Sequence, residues 1–347
     1  MPFEFFMVRT KKTPSKSISI TDVAKASGVS ITTVSRVINK FPSVKEESRI
    51  KVLNTIKQLK FQPSVLAQRL ATGRSNVVAL VIPRYEGIFY SFYALELIRG
   101  IGTLCAALKL DLLLHLTDSR TPINFKGVGG VIFADIIGNR QQLIDVLDAG
   151  IPCLVINNYI EDLEISCIAI DNLGGAENVV NYLISLGHKR IAHISGDLIT
   201  QAAAKRLEGY KRALEKNKIA LNQDYVIKTD YSRGQAREAA EHLIKMPKPP
   251  SAIFVASDSM ALEVMTVARE LGKVVPRDLS LAGFDDNPSG LDAPVALTTV
   301  RQPLIKMAQE SVKELNLLMS KKKTKIEKII LPTELIVRES CQPYNPD

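Results

Sequence analysis

Residues 19–39 read Ser-Ile-Thr-Asp-Val-Ala-Lys-Ala-Ser-Gly-Val-Ser-Ile-Thr-Thr-Val-Ser-Arg-Val-Ile-Asn. The pattern predicts two short helices broken at one glycine. Ser19 supplies an N-cap with Asp22 in the first turn, Gly28 takes the left-handed turn, and Ser30 caps the second helix. In that second helix Val34, Val37 and Ile38 fall at i, i+3, i+4, which is one buried face. The opposite face carries Thr32, Ser35, Arg36 and Asn39. Their hydroxyl, guanidinium and amide groups are the chemistry that bonds base edges and phosphates, and Ile31 beside them suits a thymine methyl. Such an arrangement sets a helix into a DNA groove.

A third helix is expected downstream. Ser43 and Glu46 have the spacing of a capping box ahead of Ile50, Leu53, Ile56 and Leu59, so that three short helices share one small core. Residues 1–76 hold 14 lysine and arginine residues against 4 aspartate and glutamate, a net +10, whereas the whole 347-residue chain is +9. The remaining 271 residues therefore sum to −1. Positive charge gathered in one small module suits phosphate neutralisation and implies salt-sensitive binding.

Asp22-Val23-Ala24, Gly28-Val29-Ser30, Thr33-Val34-Ser35-Arg36-Val37 and Asn39, followed by Pro63, Ala67 and Leu70-Ala71-Thr72-Gly73-Arg74, resemble the DNA-binding headpiece of the lac repressor family. The likeness runs on to about Cys341. It implies a candidate DNA-contacting set of Ser19, Thr21, Ser30, Ile31, Thr32, Thr33, Ser35, Arg36 and Asn39, extended by Ser64, Ala67 and Leu70. In the resembled family, the segment from Pro63 is a hinge helix that folds when two copies meet on DNA. The leucine at the position of Leu70 wedges into the minor groove, unstacking a base step and bending the site. Ser64 stands where many members carry asparagine.

Beyond Arg74 the chain alternates apolar runs with helical periods. Val77 to Ile82, Asp111 to Leu116, Val131 to Phe133 and Cys153 to Ile156 read as buried parallel strands, with helices at Tyr93 to Leu108 and Arg140 to Ala149. A second set follows Asp171: Arg190 to Ile194, Val226 to Lys228, Ala252 to Val255 and Leu279 to Phe284. Gly130-Val131-Ile132-Phe133-Ala134-Asp135 and Ala252-Ile253-Phe254-Val255-Ala256-Ser257-Asp258 hold corresponding places in the two halves. The late helix Leu304 to Leu318 and strand Lys328 to Leu331 are expected to return once to each lobe. The stretch from Asp118 to Val128 is too short for a second helix of the first lobe.

The fold class expected is α/β: an all-α helix-turn-helix headpiece, then a two-lobed core of parallel sheets similar to periplasmic binding proteins. The domains are a disordered basic arm (1–16), the helix-turn-helix (17–62), hinge helix and linker (63–75) and an effector-binding and dimerisation core (76–340). The first lobe takes about 76–170 and 301–326, the second about 171–299 and 327–340. A ligand in such a core sits between lobes at the carboxyl ends of the strands, and closure about crossing strands is the switch.

For that cleft the resemblance implies Arg206, in Ala204-Lys205-Arg206-Leu207-Glu208-Gly209-Tyr210, as the arginine that grips the effector. Asp285 ends the strand of Gly283-Phe284-Asp285-Asp286. A guanidinium fork and a carboxylate together bracket vicinal hydroxyls, as sugars present them. Asp258 and Asn157 follow strands and are expected in the same cleft, with Phe89 or Tyr90 stacking on a ligand ring. Two departures from the family fall here: Glu86-Gly87-Ile88-Phe89-Tyr90 replaces an asparagine-proline-aromatic-aromatic loop, and Ser257 replaces a frequent asparagine.

Other chemistry finds little support. Gly100-x-Gly102 lies inside a helical period, and no P-loop or Gly-x-Ser-x-Gly elbow occurs. Cys105, Cys153, Cys167, Cys341 and the four histidines show no metal spacing, so reduced structural thiols, no cofactor and no catalytic residue are expected. No run spans a membrane. Met1-Pro2-Phe3-Glu4-Phe5-Phe6-Met7 has too few apolar residues for a signal peptide, and Met1 or Met7 can start translation. The function implied is a cytoplasmic transcriptional regulator, a repressor, whose operator affinity a sugar or related metabolite controls. Its partners are double-stranded operator DNA, the effector and a second copy of itself, as a homodimer or a tetramer built from it. The alternatives are a regulator that answers no ligand and, far behind, a sugar-processing enzyme on the same fold.

Overall fold

The computed structural model describes residues 18–39, 41–61, 75–84, 88–322 and 325–345. The arm 1–16 and the segment carrying Ser64, Ala67 and Leu70 lie outside these. Tertiary contacts divide the chain into Met1–Ser75 and Asn76–Asp347.

In the first unit α1 (Ile20–Ser27), α2 (Ile31–Ile38) and α3 (Glu46–Leu59) enclose Val23, Ala24, Val34, Val37 and Val52. Two expectations fail at α3. The helix starts at Glu46 with Lys45 as its N-cap and no side-chain cap bond, so Ser43 forms no capping box. Ile50 and Leu53 are 52% and 46% exposed, while Val52 and Thr55 face inward. Of the four apolar residues expected inward, Ile56 and Leu59 do pack against this core, whereas Ile50 and Leu53 lie on the side turned from it.

The second unit has two lobes. In the first, β1 (Val77–Pro83), β2 (Asp111–Thr117), β3 (Gly130–Ala134), β4 (Cys153–Ile156), β5 (Ser166–Ile170) and β11 (Lys328–Leu331) form one sheet. Its strand order is β11-β5-β4-β3-β1-β2, parallel throughout. Every residue of β1 is buried, the pattern of a central parallel strand covered on both faces. Helix α4 (Phe92–Ala107) and α10 (Leu304–Met319) cover one face. They approach so closely that a Cβ on Gly100 would stand 2.6 Å from that of Ala308, which gives Gly100 a packing role. On the other face lies α5 (Arg140–Asp148). Residues 118–129 contain no helix, and Ile123, Phe125 and Val128 of this connection cover the sheet instead.

The second lobe holds β6 (Ile191–Ser195), β7 (Val226–Lys228), β8 (Ala252–Val255) and β9 (Ser280–Ala282) in the parallel order β7-β6-β8-β9. Helices α6 (Asn172–Ser185) and α7 (Gln201–Lys216) cover one face, α8 (Arg233–Ile244) and α9 (Asp258–Glu270) the other. The chain crosses between lobes near residues 171, 302 and 332, and β10 (Thr299–Arg301) pairs antiparallel with β12 (Glu334–Ile336) beside these crossings.

One lobe assignment is corrected. Lys328–Leu331, expected in the second lobe, pairs in parallel with β5 from Lys328↔Cys167 to Leu331↔Ile170 and so belongs to the first. Without it β5 would present an unpaired edge of N–H and C=O groups, and the returning strand satisfies them. Only from β12 onward does the tail join the second lobe, where Ser340 donates to Leu281 O at 2.6 Å. Among the described residues no helix is long and apolar enough to cross a membrane, and no cluster of histidine, cysteine and carboxylates could hold a metal ion. All four cysteines are free and buried.

Candidate nucleic-acid interface and interlobe cleft

Helix α1 opens with a complete capping box. The Ser19 N–H donates to Asp22 Oδ2 at 2.8 Å and the Asp22 N–H returns a bond to Ser19 Oγ at 3.3 Å. Gly28 closes the helix at φ 69°. Helix α2 follows at once, Ser30 Oγ accepting from the Thr33 N–H at 3.1 Å and contacting the Thr33 hydroxyl at 2.9 Å. Val34 and Val37 are buried, while Ile31, Thr32 and Arg36 are exposed and Thr33, Ser35 and Asn39 half-exposed. The geometry thus sorts the candidate residues. Ser19, Ser30 and Thr33 have bonded side chains that shape the two helix starts, and Asn39 Nδ2 lies 3.4 Å from Ser35 Oγ. Ile31, Thr32 and Arg36, with exposed Thr21 on α1, offer free surface chemistry.

In the core, strands of both lobes end at the cleft. Asp135 and Asn157 follow β3 and β4 and both sit at positive φ, 66° and 64°. Asn157 Nδ2 donates to Asp135 Oδ1 at 2.7 Å. Burial lifts the Asp135 carboxyl to about 6, against the opposing pull of Asn157, Tyr93 and Arg206. Facing them, Arg206 on α7 is 4% exposed. Its Nε donates to Asn172 Oδ1 at 2.8 Å, its Nη1 to Ala256 O at 2.5 Å, and its guanidinium carbon lies 3.8 Å from the Phe284 ring centroid. Asp285, at φ 141°, accepts from Gln302 Nε2 at 2.5 Å, and burial raises its carboxyl while Arg206 restrains the rise.

Tyr231 draws these groups together, for its hydroxyl feels Arg206, Asp285 and Asp135 at once. Its ring occupies the space a side chain on residue 196 would need, 2.0 Å from the place of a Cβ, so only Gly196 fits there. Across the lobes Gln201 Oε1 accepts from the Tyr159 N–H at 2.7 Å and Gln201 Nε2 donates to Tyr159 O at 3.0 Å.

Arg206, Asp285 and Asn157 thus converge. Asp258 is fully buried and uses both oxygens on the protein: Thr299 Oγ1 donates at 2.6 Å and the Asn287 N–H at 2.7 Å. It ties the end of β8 to the segments around β9 and β10, and burial together with the Asp285 charge raises its carboxyl. Phe89 and Tyr90 are 55% and 92% exposed, because Ile88 takes the inward place in their short turn. They stand at the carboxyl end of β1, outside the buried cluster. Asp135, Tyr93, Asn172, Tyr231 and Gln302 went unselected in the sequence. For Asp135 a signal existed, the polar exit of Gly130-Val131-Ile132-Phe133-Ala134 matching that of β8; for the others the linear sequence offers none.

Two family models match this chain: bacterial regulatory proteins, lacI family, over residues 19–64, and periplasmic binding protein-like domain over residues 180–341. The chain is 33% identical over 334 residues to the probable HTH-type transcriptional repressor ExuR of Bacillus subtilis (strain 168), covering 94% of this chain and 98% of that one. It is 32% identical over 335 residues to catabolite control protein A of Priestia megaterium, covering 94% and 100%. Among solved structures, the lac repressor dimer bound to operator and the anti-inducer ONPF aligns with a TM-score of 0.80 at 25% identity, covering 94% of this chain and 100% of that one. A complex of the transcriptional regulator CelR with cellobiose aligns at 0.71 and 28% identity, covering 93% and 99%.

Proposed function

The chain belongs to the lacI family of bacterial regulatory proteins, and from that premise we propose how this regulator divides its work. Helix α2 enters the major groove of operator DNA with Ile31, Thr32 and Arg36 toward base edges, and Thr21 with the backbone N–H groups at the helix starts holds phosphates. The observation that supports this is a capped helix with Val34 and Val37 buried and Thr32 and Arg36 in solvent, inside a module of net +10. Ser64, Ala67 and Leu70 extend the contact into the minor groove, as in the resembled family.

The protein acts as a homodimeric repressor. Twofold protein symmetry then matches a roughly palindromic operator, since one small module gives too little genomic specificity. Exposed Leu95 on α4 and Leu108 at its C-terminal end, with Leu113 on strand β2, supply apolar surface for such pairing. Its working place is the cytoplasm, where the DNA is.

The cleft between lobes binds a sugar or related metabolite. Arg206, Asp285, Asp135 and Asn157 contact it, Asp258 holds their frame, and Phe89 and Tyr90 stand at the rim. Rotation about the three crossings opens or closes the cleft and changes the headpieces' affinity for DNA. The experiment is operator affinity, at fixed salt, with and without a panel of sugars. Release or tightening by one sugar supports the sensor reading; tight binding that no metabolite alters supports a regulator without effector.

A further inference from the structure

The two ends of the cleft repeat one chemical device. In the first lobe Asn157 gives its N–H to Asp135, and in the second Gln302 gives its N–H to Asp285. Each amide must point its nitrogen at the carboxylate, since the opposite orientation would set oxygen against oxygen. The consequence falls on the carbonyl ends. Asn157 Oδ1 and Gln302 Oε1 are both buried and have no hydrogen-bond partner, on side chains only 7% exposed. An orphaned buried acceptor is costly, and in a native structure it calls for an explanation.

We infer that the cleft takes an uncharged, hydroxyl-rich ligand whose O–H groups satisfy Asn157 and Asp135 at one end and Gln302 and Asp285 at the other, and that it rejects phosphorylated and carboxylated sugars. The inference rests on the cleft being the effector site. An ionised phosphate or carboxylate only accepts hydrogen bonds, so at whichever end it replaces a hydroxyl it leaves that carbonyl oxygen orphaned. It also brings negative charge beside two carboxylates already disfavoured by burial. Arg206 is the cluster's cation, and its Nε and Nη1 are already committed to Asn172 and Ala256. A neutral polyol supplies the missing donors at both ends and adds no charge.

The test uses the full chain with glucose, galactose, ribose and cellobiose, each set beside a phosphate ester and an acid derivative of the same sugar, read by titration calorimetry and by the shift in melting temperature. The expected result is that a neutral sugar binds and its anionic derivatives bind about a hundredfold more weakly or not at all, the size set by one unmade bond to a buried acceptor together with the added charge beside two carboxylates. An anionic derivative binding as tightly as its parent overturns the inference. Asp285→Asn, with its unliganded melting temperature as the check on folding, is expected to narrow the gap about tenfold by removing one repelling charge; an unchanged gap also overturns it. If no sugar of either kind binds, the sensor reading itself fails and this inference falls with it.

Discussion

The Arg206 guanidinium carbon stands over the Phe284 ring, 3.8 Å from its centroid, while its Nη1 donates to Ala256 O at the end of β8. One side chain thus joins α7, the exit of β8 and the segment after β9, and reaches the carboxylates of both lobes by charge. It is a frame member and, in the proposed function, a ligand group as well.

For Arg206, the consequence is a split between two replacements. Arg206→Ala orphans Ala256 O and Asn172 Oδ1 and should cost about 1–3 kcal/mol of core stability as well as abolishing effector response. Arg206→Lys keeps the charge but loses the planar fork and its stacking. It is expected to keep more stability and still respond at least tenfold more weakly. Thermal melts beside operator release by the effector measure both, and an Arg206→Lys chain with full response would remove the fork from recognition.

The polar stripe of α2 makes a separate claim. Arg36→Ala should weaken binding to a specific operator by about 1–3 kcal/mol, the value of a good base-edge contact, with little change on random-sequence DNA. Fluorescence titration of both fragments at one salt concentration tests this. Equal losses on the two would make Arg36 a phosphate contact.

Gly100 tests the packing of the first lobe. A Cβ there meets the Ala308 Cβ at 2.6 Å and Ile305 O at 3.2 Å, backbone and a stub that cannot swing aside. Gly100→Ala therefore forces α4 from α10 and should destabilise the core by about 1–3 kcal/mol, despite the better helix propensity of alanine. Denaturant unfolding of the core reads the effect; a neutral or stabilising result would show that the helices have room to part.

Asp135 predicts a pH effect whose sign is opposite to the usual carboxylate case. Its carboxyl rises from 3.8 to about 6 on folding because burial disfavours the charge. Between those values the folded state holds more of the proton than the unfolded one, so this group's contribution to stability falls as pH rises from about 4 to about 6 and is flat above. Asp286 and Asp278, whose carboxyls are lowered chiefly by arginine partners and hydrogen bonds, act in the other direction near the bottom of that window. Asp135→Asn should remove the Asp135 share. Comparing variant with wild type by denaturant unfolding at pH 4 and pH 7, the variant should gain relative stability at the higher pH; no difference between the two pH values would refute the burial assignment.

Local order was legible where the physics is local. The Ser19 and Asp22 capping box, the turn at Gly28, the Ser30 cap and the runs that became β1, β3, β4 and β8 depend on residues within a few positions of one another, and periodicity carries that information. The wrong start of α3 shows the limit, since Ser43 and Glu46 have the spacing of a capping box, yet the helix begins at Glu46 behind Lys45 with no side-chain cap bond. Arg206 was reachable through resemblance, Asp285 through its place at a strand end, and Asp135 through the match between two strand exits.

Alternating strands and helices, the positive headpiece and the cap residues were determined by the chain itself, because they rest on neighbours in sequence. The tertiary structure decided which sheet receives Lys328–Leu331, that Asp258 spends its oxygens on the frame, and that Asn157 and Gln302 each turn an N–H toward a carboxylate and leave a carbonyl bare. Those outcomes need distant partners, such as Cys167, which lies 161 positions from Lys328. No periodicity specifies such a pairing: it follows from which edges and buried polar atoms remain unsatisfied once the lobes have packed.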